Sequence, residues 1–407
     1  MDVLISGASI AGPALAYWLG RFGHQATIVE VAPALRTGGN AVDFRGPLHM
    51  GLLDRMGVLP ALREVQTGGT AMRFVDADGK RLMEWPAGLA GGDLEVRRGD
   101  LARILCDAAP TTEYLFGDRI TAMAETADGV SVTFASGSRR RFDLVVGADG
   151  VHSGVRRLAF GPEEQFVKHL GYYVAGWDVP DEWGLGGDLH PTTPPTALNR
   201  TEGMLIYNEP GRMISVGGDH RHTGRAGAFV AFASPQLRYD RHDRDAQKRL
   251  LHERYAGMGW LAPRLLEALD AAPDFWLDQI CRVDNPHWTK GRVALVGDAA
   301  CGATIGGQGN GTALVSAYVL AGELAAAGGD HRVAFPAYER RIGKFARGTQ
   351  KGGDTTGKFL APKTAAGIRA RNYLNNKKWV IDLTFKIAAD RSTNLDLPDY
   401  PALAATR

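Results

Sequence analysis

The sequence predicts an α/β fold: a Rossmann-like domain assembled from two separated stretches, with a strand-rich domain inserted between them and a helical tail behind. Three stretches predict it. The N-terminus runs strand, glycine turn, helix, strand; a later strand ends in Gly147-Ala148-Asp149-Gly150; and the apolar run Val293-Ala294-Leu295-Val296 leads through a glycine-rich turn into a helix. The expected division is 1–165 with 284–330 for the first domain, with smaller insertions around 70–97. The inserted domain is expected over 166–283, and the tail over 331–407.

The bulk properties exclude several classes. A length of 407 residues asks for more than one core, and 44% apolar with 23% charged residues is globular. The 47 Lys and Arg nearly balance 45 Asp and Glu, so no nucleic-acid partner is implied. Cys106, Cys281 and Cys301 are too scattered for a disulfide framework or a metal set, which suits a reducing cytoplasm. The N-terminus lacks the basic region of a signal peptide, and its apolar run is too short to span a bilayer.

Taken in order, Val3 to Ile5 reads as a strand, Gly7 to Gly12 as a tight turn, Pro13 to Phe22 as a helix and Ala26 to Val29 as a second strand followed by Glu30. This is a G-x-S-x-x-G variant of the dinucleotide fingerprint. Gly7 permits the turn, Ser9 stands where backbone nears phosphate, and Gly12 allows close packing of helix on strand. Pyrophosphate would meet Ile10, Ala11 and Gly12 at the helix N-terminus, and Glu30 would take ribose hydroxyls. An acid at this position favours FAD or NAD over NADP. Arg36 is a candidate for the adenosine side, with a solvated arginine as the plain alternative. Arg45 precedes a helix over Pro47 to Met56 and is a candidate for the cofactor or the substrate entrance.

Phe74 to Asp76 and Arg81 to Trp85 flank a turn and read as a hairpin. Glu95 to Leu101 leads into a helix through Leu105, with Arg98 at its start, where phosphate or ribitol oxygens would be met. Tyr114 to Phe116, Ile120 to Ala124, Val130 to Phe134 and Phe142 to Val146 read as strands. Further strands are expected at Gly171 to Trp177, Gly203 to Tyr207, Arg212 to Gly217 and Ala228 to Ala233, and helices at Arg244 to Tyr255 and Leu261 to Leu269. His220, His222 and His242 lie scattered in polar stretches and form no ligand set. In the late unit, Asp298 ends the strand region and could accept hydrogen bonds from sugar-like hydroxyls. Leu314, Ala317, Tyr318, Ala321 and Leu324 recur at helical spacing, and Gly328-Gly329 marks the stop. Trp379 to Ala389 is amphipathic, fit to pack along both domains or to serve a dimer contact.

Together GASIAG with Glu30, DLVVGADGVHSGVR from Asp143 to Arg156, and LVGDAA…GGQG from Leu295 to Gly309 stand in one order. On these motifs the chain resembles the class A flavin-dependent monooxygenases of the para-hydroxybenzoate hydroxylase fold. It is most similar to the compact branch with tetracycline-inactivating and polyketide-tailoring hydroxylases. RGDL from Arg98 to Leu101 also matches a family arginine that contacts FAD. The resemblance covers most of the chain to about residue 325. The chain departs from the family pattern at Cys301, at Thr304-Ile305-Gly306 and at Ser316-Ala317, implying a differently shaped loop beside the flavin ring.

The resemblance implies a Rossmann-like FAD-binding domain of the GR2 type and a mostly antiparallel sheet roofing the flavin. FAD would be held non-covalently, with Asp149 and Asp298 in the site and Gly306, Gly307, Gln308, Gly309 and Asn310 near the ring's N1–C2=O edge. NADPH or NADH would visit transiently as reductant, since no second fingerprint exists. O₂ would add at C4a, and the hydroperoxide would hydroxylate an electron-rich aromatic carbon. The substrate would lie between sheet and ring, among some of Tyr173, Trp177, Met204, Ile206, Met213, Phe229 and Phe232, any one of which read alone is ordinary core. No catalytic side chain stands out, as expected when a cofactor carries the chemistry. The lining suits a multi-ring phenolic secondary metabolite, with the enzyme a cytoplasmic monomer or homodimer, without metal or membrane partner. Alternatives are Baeyer–Villiger insertion or epoxidation on the same fold, or a flavoprotein that sequesters an aromatic ligand without turnover.

Overall fold

The computed structural model describes residues 1–35, 41–67, 71–86, 91–180, 203–218, 225–241, 243–272, 275–305, 308–350, 353–377, 379–381, 383 and 395–400. Arg36, Gly38, Gly39, His220, His222, His242, Gly306 and Gly307 lie outside them, as does most of the stretch from Trp379 to Ala389.

The chain opens with β1 (Asp2–Ser6), α1 (Ala11–Arg21) and β2 (Gln25–Glu30). Next come β3 (Ala41–Phe44), α2 (Gly46–Arg55), α3 (Leu59–Glu64), β4 (Met72–Val75), β5 (Arg81–Trp85), β6 (Leu94–Arg97) and α4 (Arg98–Asp107). β7 (Glu113–Phe116), β8 (Ile120–Thr126), β9 (Gly129–Phe134), β10 (Arg139–Phe142), β11 (Leu144–Gly147) and α5 (Gly154–Ala159) complete the first long stretch. The inserted domain holds β12 (Val167–Pro180), β13 (Met204–Glu209), β14 (Arg212–Gly218), β15 (Arg225–Ala233), α6 (Arg244–Tyr255), α7 (Ala262–Ala271) and β16 (Phe275–Val283). The chain then returns through β17 (Thr289–Lys290), β18 (Val293–Leu295), α8 (Asp298–Cys301) and α9 (Gly309–Ala326), and ends with α10 (His331–Gln350), α11 (Gly353–Leu360) and α12 (Ala365–Asn375).

The first sheet has the order β17-β18-β11-β1-β2-β7, parallel throughout except for β17. β1, β2, β11 and β18 are short and apolar because helices cover both faces, and Leu4, Ile5, Val145, Val146 and Leu295 are fully buried. Strand order reverses beside β1, so the carboxyl ends of β1 and β11 open a crevice of the kind that binds ligands in such sheets. The second large sheet runs β16-β12-β15-β14-β13-β4-β5 and is antiparallel except where β13 lies parallel to β4. One face packs on α6 and α7, and the other on α11 and the loop at Ile305.

Two sequence expectations change. The run Phe142 to Val146 is not one strand: it breaks at Asp143, whose carboxylate accepts the Asp2 N–H at 2.7 Å, and its halves join different sheets as β10 and β11. β16 was not expected as a strand. Its Phe-Trp-Leu-Asp-Gln-Ile-Cys-Arg-Val lacks clean alternation because it packs on both faces and meets the loop at Thr304 along one edge.

Candidate functional site

The crevice is built by close backbone approaches. Gly7 has φ +110°, and a Cβ there would stand 2.5 Å from the Ala148 carbonyl oxygen at the end of β11. A Cβ at Gly12 would stand 2.0 Å from the Gly7 oxygen. These contacts seat α1 hard against the turn. No side chain caps α1 and no acid sits in its first turn, so its free N–H groups and positive dipole end face the crevice. The Glu30 carboxylate accepts N–H bonds from Ala8 and Ala32, each at 2.9 Å, and so shapes the turn it follows. Arg98, opening α4, donates from Nε to Ser9 Oγ at 3.2 Å. Gly7, Ser9, Ile10, Ala11, Gly12, Glu30 and Arg98 therefore meet in one place.

The second motif is an organiser. The Asp149 carboxylate accepts from Gly154 N–H at 2.9 Å, Val155 N–H at 3.1 Å, Ser6 Oγ at 3.3 Å and also Ser153 Oγ. It holds the first N–H groups of α5, whose N-cap is Ser153, and ties that helix to β1 beside the crevice. Burial raises its pKa, against the pull of Ser153 and the Val155 and Gly154 N–H groups. Arg156 is fully buried and donates to the Ala299 carbonyl at 2.9 Å and the Val151 carbonyl at 2.5 Å, joining the second motif to the third.

The third motif holds the open valence. Gly297, at φ +58°, leaves 3.2 Å between its would-be Cβ and Ala11 Cβ, so α8 starts against α1. Asp298 Oδ1 is buried without a hydrogen-bond partner among the described residues. Burial raises this carboxyl's pKa, with Arg98 opposing. A Cβ at Gly309 would stand 2.9 Å from that oxygen, so only a glycine start to α9 leaves it room. Like α1, α9 has neither side-chain cap nor acid in its first turn, which includes Asn310 and follows Gln308. Ser316 explains one departure from the family pattern: its Oγ accepts the Gly297 N–H at 3.0 Å and fixes α9 to the turn. An orphaned carboxylate oxygen, glycine cradles and uncapped helix N-termini fit a dinucleotide with a polyhydroxylated linker, and FAD is such a molecule.

Arg45 stands before α2 with Nε 2.5 Å from Asp43 Oδ2. Its N–H donates to His49 Nδ1 at 3.4 Å. His49 escaped the sequence reading. It is 1% exposed, packs where Gly311 has no side chain, and burial lowers its pKa to about 4, so it is neutral at ordinary pH.

The seven expected substrate residues divide between the two faces of the large sheet. Met204, Ile206, Met213 and Phe229 share the face with Ile305 and Leu360. Tyr173, Trp177 and Phe232 point the other way and leave the candidate pocket. Trp177 Nε1 donates to the Leu265 carbonyl at 3.0 Å, Tyr173 Oη accepts the Leu237 N–H at 2.8 Å, and Phe232 stacks on Tyr173 at 5.5 Å. Successive strand residues alternate faces, and an aromatic count along the strands cannot tell which parity looks at the crevice. Trp276, Trp85 and Phe359 join the first face instead, the last two stacked at 4.4 Å.

Fold and site together define a FAD-binding scaffold joined to a second, mostly antiparallel sheet. Residues 1–177 match the family described as FAD binding domain. A flavin-dependent monooxygenase of Legionella longbeachae serogroup 1 (strain NSW150) is 35% identical, over 87% of this chain and 88% of its own. The uncharacterized protein Rv1260 of Mycobacterium tuberculosis (strain ATCC 25618 / H37Rv) is 42% identical, over 86% of this chain and 91% of its own. The crystal structure of tetracycline destructase Tet(51) superposes with a TM-score of 0.83 at 30% identity, over 98% of this chain and 99% of that one. The chain belongs to the FAD-dependent monooxygenase family.

Proposed function

We propose that the protein hydroxylates a flat, multi-ring phenol, taking one oxygen atom from O₂ and electrons from NADPH or NADH. The observation that carries this reading is the division of the large sheet. The apolar face with Met204, Phe229 and Trp276 is the one on which Ile305 packs, at the start of the glycine loop. A concave apolar lining with few polar contacts suits a planar hydrophobic ligand. The name of one solved relative ties that relative to tetracycline, itself a fused multi-ring molecule, which supports the same ligand class here.

The site residues divide the work. The first turn of α1 would receive pyrophosphate, Asp298 Oδ1 would accept a ribitol hydroxyl, and Arg98 would balance charge between them. The N-terminus of α9 favours negative charge placed beside it, so it would stabilise the anionic reduced ring. FAD, when bound, supplies the redox chemistry that joins nicotinamide, O₂ and substrate. Burial pushes the Cys301 thiol up to about 12, which keeps it protonated and supports non-covalent attachment. The buried free cysteines suit a reducing cytoplasm, where the enzyme would act as a monomer or homodimer.

The test is NADPH and NADH oxidation with and without a panel of polycyclic phenols under ¹⁸O₂, followed by mass spectrometry. Ligand-stimulated oxidation with one ¹⁸O in the product is expected. Stimulation by small benzoates alone would overturn the substrate class, and no labelled product across the panel would overturn hydroxylation.

A further inference from the structure

The register of the large sheet lays the residues of its crevice-side face in rows across the strands. One row runs Trp276, Gly176, Phe229, Ser215 and Ile206. The next runs Asp178, Gly227, Gly217 and Met204. Residues two apart on a strand share a face, and Trp276, Phe229, Ile206 and Met204 belong to the cluster that packs with Ile305.

The two rows are filled differently. In the first, Trp276 leans across Gly176, where a Cβ would stand 2.8 Å from its indole Nε1, and its ring lies 6.2 Å from that of Phe229. In the second, the two central positions carry no side chain. A Cβ added at Gly227 meets nothing within 4 Å among the described residues. Neither Gly217 nor Gly227 has a positive φ; a Cβ at Gly217 would stand 3.2 Å from Met204 Cα, so close strand packing favours glycine there, whereas nothing among the described residues requires it at Gly227. Adjacent glycines on neighbouring strands weaken a sheet, and glycine inside a strand marks close approach to its backbone. The strip shares its sheet face with the residues that pack with Ile305, next to the glycine loop. The loop before α9 runs along β16, with Thr304 N–H on the Cys281 carbonyl at 3.1 Å and Thr304 Oγ on the Gln279 carbonyl at 2.8 Å, in the direction of Trp276.

We infer that Gly217 and Gly227 are specificity-determining residues: they form the bare floor of a slot that admits a planar fused-ring ligand face-down on strand backbone. This rests on the substrate class proposed above. Phe229 and Trp276 make the aromatic wall and Met204 closes the end. The floor spans two strands, about 4.8 Å apart, a width that matches a fused aromatic system better than a branched aliphatic one. A side chain at 227 would stand where the ring lies, without displacing any described neighbour.

The experiment uses the FAD-loaded enzyme and a three-ring hydroxyanthraquinone, with binding read by flavin fluorescence. Gly227→Val suits a strand. It is expected to keep FAD content and melting temperature while weakening probe binding at least about tenfold, with Gly227→Ala between it and the parent. Equal binding by the parent and Gly227→Val overturns the slot and leaves the substrate class standing. Failure of the parent itself to bind any polycyclic phenol overturns the substrate class and the slot with it. Should Gly227→Val lose FAD, Gly227→Cys decides, because the natural cysteines are all buried. The introduced thiol is expected to react with a maleimide and to be shielded by the probe; an unreactive thiol, or one the probe leaves unshielded, overturns the slot.

Discussion

Asp298 carries a buried carboxylate oxygen with no partner among the described residues, at the start of α8 beside α1. Leaving such a group unsatisfied is costly, and a ligand hydroxyl relieves that cost. Asp298→Ala is expected to weaken FAD retention roughly 10- to 100-fold, the equivalent of about 1.5–3 kcal/mol for a charge-assisted bond. Equilibrium dialysis of the apoprotein against FAD measures it, and unchanged affinity would remove Asp298 from the site. Glu30 makes a different case, because its carboxylate already holds the Ala8 and Ala32 N–H groups. Glu30→Ala should therefore weaken FAD retention and also lower the melting temperature of the apoprotein, whereas Asp298→Ala should not lower it.

Among the elements, the turn between β1 and α1 tolerates least. An added Cβ at Gly12 would meet the Gly7 carbonyl oxygen at 2.0 Å and Ile5 Cγ2 at 3.3 Å, and the nearer atom is backbone that cannot rotate away. Gly12→Ala is expected to cost at least about 1–3 kcal/mol in denaturant unfolding and to reduce bound FAD. Native-like stability with full FAD content would show that the helix slides without penalty. α11 is held as an element by Arg282, whose Nη1 lies 2.7 Å from both Asp354 oxygens while Nε and Nη2 hold Asp284. The two-nitrogen grip on Asp284 fixes the guanidinium, and its Nη1 then sets where Asp354, and α11 with it, lies on the large sheet. Gly357 brings it close, since a Cβ there would stand 2.4 Å from the Tyr172 ring.

At the scale of the whole molecule, His152 joins the domains. It sits after β11, with Nδ1 3.0 Å from Glu163 and Nε2 3.2 Å from Asp278 on β16. Burial lowers its pKa, but the hydrogen bonds and charges of Asp278 and Glu163 outweigh burial and the nearby Arg241, so the net shift is upward. A raised histidine pKa means that protonation favours the folded state. Its contribution is complete below the unfolded value of about 6.5 and is lost as pH rises through the folded value. The melting temperature of the parent minus that of His152→Gln should therefore shrink from pH 6 to pH 9. A difference that stays constant or grows would refute the ion-paired reading.

Much of the candidate site's geometry was legible in the linear order of residues. Gly7, Gly12, Glu30, Arg98, Asp298 and Gly309 act within a few residues of a strand end or helix start. Local backbone geometry therefore determines what they present, and glycine spacing records that geometry directly. The sequence by itself also determined most of the short apolar strands and the turns beside them, because these are local features. Tertiary structure decided the rest. The bracing contacts of Asp149 arise because Ser6, 143 residues away, and the start of α5 fold onto it. Tyr173, Trp177 and Phe232 fell on the helix-covered face because the choice of face depends on which domain lies above the sheet. The row of Gly227 and Gly217 exists only through the pairing of β14 with β15. Register across strands is a long-range property set by packing, and no spacing within one strand encodes it.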